Sequence, residues 1–334
     1  MCGIFACFQK ENLKYSYEDF IRHNKLLYRR GPDSNGTIKY NYDNNIIYLG
    51  HNRLSIQDVS INGSQPMTSY TQRFCIIYNG EIYNHFELRK HIESKINIKW
   101  KSNSDTETLV NLFEIYHTKI KTFLNFLEGQ FAMAIYDKKL NKLILARDKA
   151  GEKPLYISCS NNFIAIASDL KPLSKINNFN SNISQEGLNN FLLYNYISSP
   201  LSIFENTFKI PSSSFIEIEL NNFNLYNYKF FEQFTKSSGV RYDKWWSLDN
   251  YKNEKINTNN LKINYDDSKK LIKTSLLNSV EKQLISDVPL GAFLSGGIDS
   301  SLIVSLMTNL NHKPKTFSIG FEYNDFDESV FSKK

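Results

Sequence analysis

The spacing of apolar residues along the chain predicts a protein that mixes strands and helices. Short apolar runs with strand-like composition occur at 46–49, 74–78, 131–136 and 142–146. Asn79-Gly80 follows the second run, and this dipeptide is typical of hairpin turns, which indicates antiparallel pairing. We therefore expect the first two hundred residues to be rich in antiparallel strands.

Two segments in this part of the chain have helical patterns. Ser104-Asp105-Thr106-Glu107 has the sequence of a capping box, and the apolar residues that follow, from Leu109 to Phe113, are spaced to form one buried helical face. A second helix is predicted over 185–196.

The chemical character of the chain changes after residue 222. Asn, Lys, Tyr and Asp dominate 223–264, which predicts a linker or surface excursion. We therefore expect one domain over 2–222, a linker over 223–264 and a second domain over 265–334. In the second domain, the pattern predicts a helix over 265–286, a buried strand over 288–294, a helix after residue 298 and a second strand over 315–321.

The loop between the first of these strands and its helix has the sequence Ser295-Gly296-Gly297-Ile298-Asp299-Ser300-Ser301. A strand, a glycine loop and a helix in this order form a cradle for phosphate, because loop amides and the helix N-terminus face the anion. The loop has no lysine after its glycines and so differs from the Walker class. The alternative is a simple helix cap after a glycine turn.

Composition excludes several classes of protein. The chain has 334 residues, of which 41% are hydrophobic, and it lacks both an apolar run of membrane-spanning length and a signal peptide. We expect a soluble, cytoplasmic protein. The net charge of +6 comes from scattered lysines, which argues against nucleic acid as a partner. The four cysteines show no CxxC spacing, which argues against a disulfide scaffold or a cysteine metal site.

Cys2 is a candidate nucleophile because removal of Met1 would leave its thiol and a free α-amine on one residue. An α-amine has an ordinary pKa of about 7.7–8.0, so much of it is neutral near pH 7 to 8 and can accept the thiol proton. The alternative is a small apolar residue that opens a buried strand.

The chain resembles the glutamine-hydrolysing asparagine synthetases over essentially its whole length. Its opening, Met1-Cys2-Gly3-Ile4-Phe5, is similar to that of the type-II glutamine amidotransferases, which are N-terminal nucleophile hydrolases, and the loop from Ser295 to Ser301 is similar to that of the PP-loop ATP pyrophosphatases. That family joins the two modules in this order. Further matching segments are Arg30-Gly31-Pro32-Asp33, His51-Asn52-Arg53-Leu54-Ser55-Ile56, Asn79-Gly80-Glu81-Ile82-Tyr83-Asn84, and the run from Arg147 to Tyr156.

The resemblance implies an αββα sandwich followed by the start of an α/β PP-loop domain with a parallel sheet. It also implies roles for glutamine-site residues. Cys2 would attack the side-chain amide of glutamine, and Asn79 and Gly80 would stabilise the oxyanion. Arg53 would pair with the α-carboxylate and Asp105 with the α-ammonium. The remaining residues of this pocket would be Leu54, Ser55, Ile56, Gln57 and Glu81.

In the second domain, the resemblance places adenine between Leu294 and Ile319. The pyrophosphate of ATP would lie against Ser295, Gly296, Gly297, Asp299 and Ser300. Asp299 would act through Mg²⁺, because a carboxylate beside phosphate needs a bridging cation. The implied reaction adenylates a carboxylate and then adds ammonia channelled from Cys2, which gives an amide, AMP and pyrophosphate. The implied substrates are glutamine, ATP and aspartate, and a homodimer is one assembly the family forms.

The chain departs from the family pattern at three places. Arg29 stands where the family often has His, Gln57 is polar where an apolar residue is expected, and the chain stops at Lys334, before a complete parallel sheet has formed. Three functions stay open at this point. They are asparagine synthesis, amidation of another carboxylate such as a sugar acid of a surface polysaccharide, and a truncated protein that only hydrolyses glutamine or acts as a regulatory partner.

Overall fold

The computed structural model describes residues 1–10, 13–43, 45–249, 264–323 and 327–333. These residues form two compact units on either side of 250–263. Within the described ranges, no helix is both long enough and apolar enough to cross a lipid bilayer.

The described part of the first unit contains two six-stranded sheets. The strands are β1 (Gly3–Lys10), β2 (Ser34–Tyr42), β3 (Asn45–Arg53), β4 (Met67–Thr68), β5 (Phe74–Ile82), β6 (Gly129–Asp137), β7 (Lys142–Arg147), β8 (Tyr156–Cys159), β9 (Phe163–Ala167), β10 (Thr207–Lys209), β11 (Ser214–Glu219) and β12 (Val240–Lys244). One sheet has the order β10-β8-β9-β1-β3-β2 and the other β12-β11-β7-β6-β5-β4, with antiparallel neighbours. The four predicted strands are confirmed as parts of β3, β5, β6 and β7.

The first unit also contains helices, some of which pack on the outer faces of the sheets. They are α1 (Tyr17–Asn24), α2 (His85–Glu93), α3 (Asp105–Tyr116), α4 (Ile120–Asn125), α5 (Leu170–Leu173), α6 (Gln185–Tyr194) and α7 (Phe231–Thr235), with 3₁₀ turns at Lys25–Leu27 and Ile61–Gly63. The helices predicted after Ser104 and over 185–196 are confirmed as α3 and α6. The apolar face of α3 packs on β5 and β6, and α1 packs on β1 and β3. The layers therefore form the αββα sandwich that the family resemblance implies.

Strand β1 shows why the sequence forms this sandwich. Ile4, Ala6 and Phe8 belong to the core between the two sheets, whereas Phe5 and Cys7 face the outer layer of helices. All five side chains are at most 3% exposed. A strand buried on both faces has a continuous apolar sequence and not an alternating one, and the sequence of β1 follows this rule.

The hairpin turn predicted at Asn79-Gly80 is wrong. Both residues lie inside β5, where Asn79 pairs with Ala132 and Gly80 with Phe131 of β6. A Cβ at position 80 would collide with the carbonyl oxygen of Gln130. The glycine is therefore needed for close approach of two strands and not for a turn.

The linker predicted over 223–264 is wrong for its first part. Residues 223–249 belong to the first unit and contain α7 and β12, and β12 pairs with β11 at the edge of a sheet. Phe231 and Phe234 are buried in the core between the sheets. The average composition of this segment is polar, but its aromatic side chains pack in the core. The rest of the predicted linker, 250–263, lies outside the described residues.

The second unit contains a small parallel sheet of β13 (Gly291–Phe293) and β14 (Lys315–Phe317), with α8 (Tyr265–Lys282), α9 (Ile298–Asn309) and α10 (Ser329–Ser332). The predicted helices and strands are present but shorter. The prediction of a buried strand over 288–294 is wrong, because only three of its residues form β13 and Phe293 is 79% exposed. Among the described residues, no second layer covers this sheet.

Candidate active site

Strand pairing places the N-terminus beside the loop that follows β3. Gly3 pairs with Asn52, so Cys2 lies next to the end of β3. The Cys2 Sγ atom is 3.4 Å from the Leu54 amide nitrogen, which donates to it, and 3.6 Å from the Leu54 carbonyl oxygen, which accepts from the thiol. Arg30 Nε donates to the Cys2 carbonyl oxygen at 3.1 Å. Side-chain and backbone contacts therefore fix the position of the thiol.

The electrostatic surroundings of Cys2 favour the neutral thiol. Burial raises the pKa of the Cys2 thiol, and the hydrogen bond from the Leu54 amide opposes that rise. Burial also lowers the pKa of the Met1 α-amine. A buried amine at the chain start is therefore more often neutral near pH 7, while the thiol needs a base before it can act as a nucleophile.

Asn79 and Gly80 lie near the end of β5, in the sheet that faces β1. Alternate residues of a strand face the same side, so Asn79 points the same way as Ile77 and Cys75, into the layer between the sheets. By the same alternation, Cys2 points the same way as Ile4, into that layer. The Asn79 Nδ2 group is buried and has no hydrogen-bond partner among the described residues. A buried donor without a partner is unusual in a folded protein and is available to a ligand.

His51 supports this part of β5. Its Nε2 atom lies 3.0 Å from the carbonyl oxygen of Tyr78, the residue before Asn79. Burial lowers the pKa of His51 to about 3, so the ring is neutral, and a carbonyl partner requires the proton on Nε2. His51 therefore fixes the peptide that leads into the Asn79-Gly80 pair.

Arg53, at the end of β3, holds the loop that follows it. Its Nη1 donates to the Ser60 carbonyl oxygen at 2.7 Å, and its Nη2 donates to the carbonyl oxygens of Gln57, at 3.2 Å, and Asp58. The side chain is buried and forms no ion pair with a carboxylate in the part of the chain that the structure describes. A buried guanidinium without a carboxylate partner is suited to bind an anionic group of a ligand.

Two carboxylates, those of Asp105 and Glu81, also line the site. Asp105 Oδ2 accepts hydrogen bonds from the Tyr78 hydroxyl at 3.0 Å and from the Ile82 amide at 2.9 Å. Glu81 accepts from Gln57 Nε2 at 2.5 Å. Burial raises the pKa of Asp105, and burial together with the nearby Asp105 raises the pKa of Glu81 to about 8. Neither carboxylate forms an ion pair with a described residue, so a cationic ligand group would complete the site.

The capping box predicted before α3 is only half right. Ser104 is the N-cap and accepts a hydrogen bond from the Thr106 amide at 3.2 Å. The Glu107 carboxylate does not accept a hydrogen bond from the Ser104 amide, as a capping box would require. That carboxylate accepts from the amides of Lys101 and Ser102, because the preceding loop folds back over the helix start. Asp105, the first residue of α3, is therefore free to face the site.

A small cavity of about 20 Å³ brings most of these residues together. Of the residues predicted for glutamine, Cys2, Arg53, Leu54, Ile56, Gln57, Gly80, Glu81 and Asp105 line it. Ser55 and Asn79 do not. The Ser55 amide binds Asp33 at 2.7 Å instead. This volume holds about one water molecule, so a ligand as large as an amino acid requires side chains to move.

Several lining residues were missed by sequence reasoning, namely Gly63, Gln65, Tyr78, Ser104 and Thr106. Tyr78 and Ser104 adjoin predicted site residues, so their position in the sequence was an available signal. Gln65 offered none, because its contacts with the Tyr78 amide at 2.7 Å and the Thr106 hydroxyl at 3.1 Å depend on tertiary structure.

In the second unit, the glycine loop has the form expected of a phosphate cradle. Gly296 has φ +87°, a conformation that favours glycine, and Gly297 is the N-cap of α9. Ser295 Oγ accepts from the Gly297 amide at 3.3 Å and lies 3.1 Å from Ser300 Oγ. These contacts fix the conformation of the loop at the helix N-terminus, where backbone amides favour an anion.

The other predicted ATP residues divide into two groups. Leu294, Ser295 and Ile319 line a second cavity, of about 280 Å³, between the ends of β13 and β14. Asp299 is exposed in the first turn of α9. The described residues contain no cluster of three or more metal-ligating side chains. A single carboxylate still suits Mg²⁺, which binds through one or two carboxylates together with phosphates and water.

Comparisons with known proteins give one family model that matches residues of the first unit and one that matches residues of the second. A glutamine amidotransferase domain model matches residues 1–229, and an asparagine synthase model matches residues 271–334. A putative asparagine synthetase [glutamine-hydrolyzing] 2 of Methanocaldococcus jannaschii is 33% identical over 100% of this chain and 62% of that protein. Asparagine synthetase [glutamine-hydrolyzing] 1 of Bacillus subtilis is 34% identical over 100% of this chain and 48% of that protein.

The chain thus spans roughly half to two thirds of the length of these two relatives. Among solved structures, the allosteric regulatory enzyme of purine biosynthesis matches with a TM-score of 0.52 and 14% identity, over 96% of this chain and 66% of that one. At this identity the likeness concerns the fold alone.

Proposed function

This chain belongs to the family of glutamine-hydrolysing asparagine synthetases, and we propose that it releases ammonia from glutamine at Cys2 for the amidation of an adenylated aspartate. One observation carries the proposal. Cys2, Arg53, Glu81 and Asp105 line a single cavity, which therefore offers a thiol, a cation and two carboxylates to one ligand. Free glutamine has the matching amide, α-carboxylate and α-ammonium groups.

The proposed reaction starts with removal of Met1, which leaves a free α-amine on Cys2. The amine accepts the thiol proton, and Sγ attacks the side-chain amide carbon of glutamine. The tetrahedral intermediate places its negative charge on the former amide oxygen, where the Asn79 side chain and the Gly80 amide donate to it. The intermediate collapses, the amine returns the proton to the leaving nitrogen, and ammonia departs. Water then hydrolyses the thioester to glutamate.

Recognition of glutamine would depend on the charged groups that line the cavity. The Arg53 guanidinium would attract the α-carboxylate, while its contacts with loop carbonyls keep it in place. Asp105 and Glu81 offer two acceptors to the α-ammonium. Binding would relieve the repulsion between these two buried carboxylates, which supports an amino acid as the ligand.

The second unit would supply activated aspartate. Leu294 and Ile319 would contact adenine, and the loop of Ser295, Gly296, Gly297 and Ser300 would contact pyrophosphate. Asp299 would hold Mg²⁺, which neutralises phosphate charge when bound. The aspartate carboxylate attacks the α-phosphorus of ATP and releases pyrophosphate, and ammonia then displaces AMP to give asparagine. The two relatives named above are asparagine synthetases, which supports aspartate as the acceptor.

Separate assays of glutamate and pyrophosphate release test this proposal. The natural chain should release glutamate from glutamine, Cys2→Ala should not, and Cys159→Ala, which changes a buried core cysteine, should retain the activity. Glutamate release that survives Cys2→Ala would exclude Cys2 as the nucleophile. Pyrophosphate release that depends on aspartate supports the proposed synthesis of asparagine. Pyrophosphate release that is the same with and without aspartate argues for another acceptor.

A further inference from the structure

Gln57 differs from the other residues of the glutamine cavity because its side chain binds another part of the cavity wall. It lies in the loop after β3, it is 8% exposed, and its carboxamide points at Glu81 on the facing sheet. Its backbone carbonyl accepts a hydrogen bond from Arg53, which also lines the cavity. Gln57 therefore contacts both the cation and one of the carboxylates of the site.

The contact with Glu81 compensates a local excess of negative charge. Glu81 and Asp105 line the same small cavity, and neither forms an ion pair with a described residue. The groups whose charge acts on Glu81 are Asp105 on α3, Lys153 in the loop after β7 and the α-amine at the chain start. The Gln57 amide N–H is the hydrogen-bond donor that the structure gives to the Glu81 side chain.

We propose that Gln57 is a positioning residue whose carboxamide occupies, in the unliganded protein, the place at Glu81 that the α-ammonium of glutamine takes on binding. The inference rests on the function proposed above. Glutamine must turn the Gln57 side chain away from Glu81, and this displacement opens the cavity, which in the free protein holds about one water molecule. Since the contact stabilises only the free state, it weakens the affinity for glutamine.

The test measures glutamine binding without turnover, by calorimetry on Cys2→Ala protein. In that background Gln57→Met keeps the length of the side chain but removes its donor. We expect the Kd for glutamine to fall by about three- to tenfold at about pH 9, where Glu81 is ionised. The gain should shrink towards pH 6.5, because an amide donor stabilises a carboxylate more than a carboxylic acid.

A second variant and the dependence of the gain on pH complete the test. Gln57→Asn, which keeps the amide but is one methylene too short to reach Glu81, should behave as Gln57→Met does, and it serves if the methionine variant does not fold. An unchanged or higher Kd in both variants overturns the inference, as does a gain that is equal at every pH, since that indicates relief of bulk. If Cys2→Ala protein binds no glutamine at any pH, the proposed function fails and the inference fails with it.

Discussion

The two units of this chain hold their candidate sites in different ways. In the first unit, the strands that carry the site are buried on both faces, and Ile4, Phe5, Ile76 and Ile77 are fully buried. In the second, the buried apolar core among the described residues consists of Val280, Leu306 and Met307. The glutamine cavity is therefore positioned by a packed core, which resists small displacements.

The glycine loop of the second unit depends on local contacts instead. Hydrogen bonds among Ser295, Gly297 and Ser300 shape it, while Ile298 and Ile319 beside it are 87% and 67% exposed. Local bonds close to solvent contribute little stability. This chain therefore carries one candidate site whose geometry the core determines and one whose geometry the loop itself determines.

The largest expected effect concerns Met1 and applies to the first unit alone. Protein that retains Met1 has an amide nitrogen at Cys2, which cannot accept the thiol proton, and burial keeps that thiol neutral. We expect the rate of glutamate release to fall by at least about 1000-fold in such protein. Intact mass, measured together with the rate, checks this. Equal rates with and without Met1 would show that another base serves Cys2.

Asn79→Ala separates catalysis from packing within the first unit. The variant should lose about 100- to 1000-fold in the rate of glutamate release, because it removes an oxyanion donor. Its free energy of unfolding should change by about 1 kcal/mol or less, since the Nδ2 group has no partner among the described residues.

Asn111→Ala is the matched control, because its side chain binds the Tyr70 amide and the Glu107 carbonyl oxygen. It should lose about 1–3 kcal/mol of stability and keep its activity. Thermal unfolding and glutamate assays on both variants decide the question, and a large loss of stability in Asn79→Ala would assign that residue to the core.

Core truncations test the difference between the units directly. Phe113 packs edge-on against Phe74 and Phe123, with ring centroids 5.1 Å apart in both pairs. Phe113→Ala should cost about 3–5 kcal/mol. Leu306→Ala, in the small core of the second unit, should cost about 2 kcal/mol or less, because its surroundings can relax into the space.

Native-state hydrogen exchange measures the local stability of each unit separately. Amides of β5 and β6 should exchange faster in Phe113→Ala, while amides of α9 should not change. If both variants accelerated exchange in both units, the units would have to be treated as one cooperative structure.

A dependence of stability on pH is also expected to originate in the cavity that Glu81 lines. Burial and Asp105 raise the pKa of Glu81 from its ordinary value of 4.5 to about 8. The folded state therefore binds this proton more tightly than the unfolded state does, so the contribution of Glu81 to stability is most favourable below pH 4.5 and becomes less favourable as the pH rises to 8.

Glu81→Gln should reduce the change in Tm across this pH range by a few degrees. Glutamine should raise the Tm of the natural chain most at the highest pH. Melting curves between pH 5 and 9 are the measurement. A slope that is unchanged in Glu81→Gln would assign the titration to Asp105, whose pKa burial also raises.

Several features of the fold follow from short stretches of sequence. The strands at 46–49, 74–78, 131–136 and 142–146 and the helix after Ser104 were predicted from apolar spacing, because each buries its own apolar side chains. The failures have a common cause. Asn79-Gly80 has turn composition, yet the close approach of β6 keeps it in a strand, and the aromatic residues of 223–249 find their partners only across the sandwich.

The candidate site divides in the same way. The sequence by itself determined which residues are candidates for the chemistry, since Cys2, Arg53, Asn79 and Glu81 lie in segments that match the family pattern and Asp105 begins a predicted helix. Only the tertiary structure decided that Gln57 binds Glu81 and that Gln65 and Tyr78 shape the cavity wall. The physical reason is that the chemical identity of a group is local, whereas burial, hydrogen-bond partners and pKa depend on strands that are distant in sequence and adjacent in space.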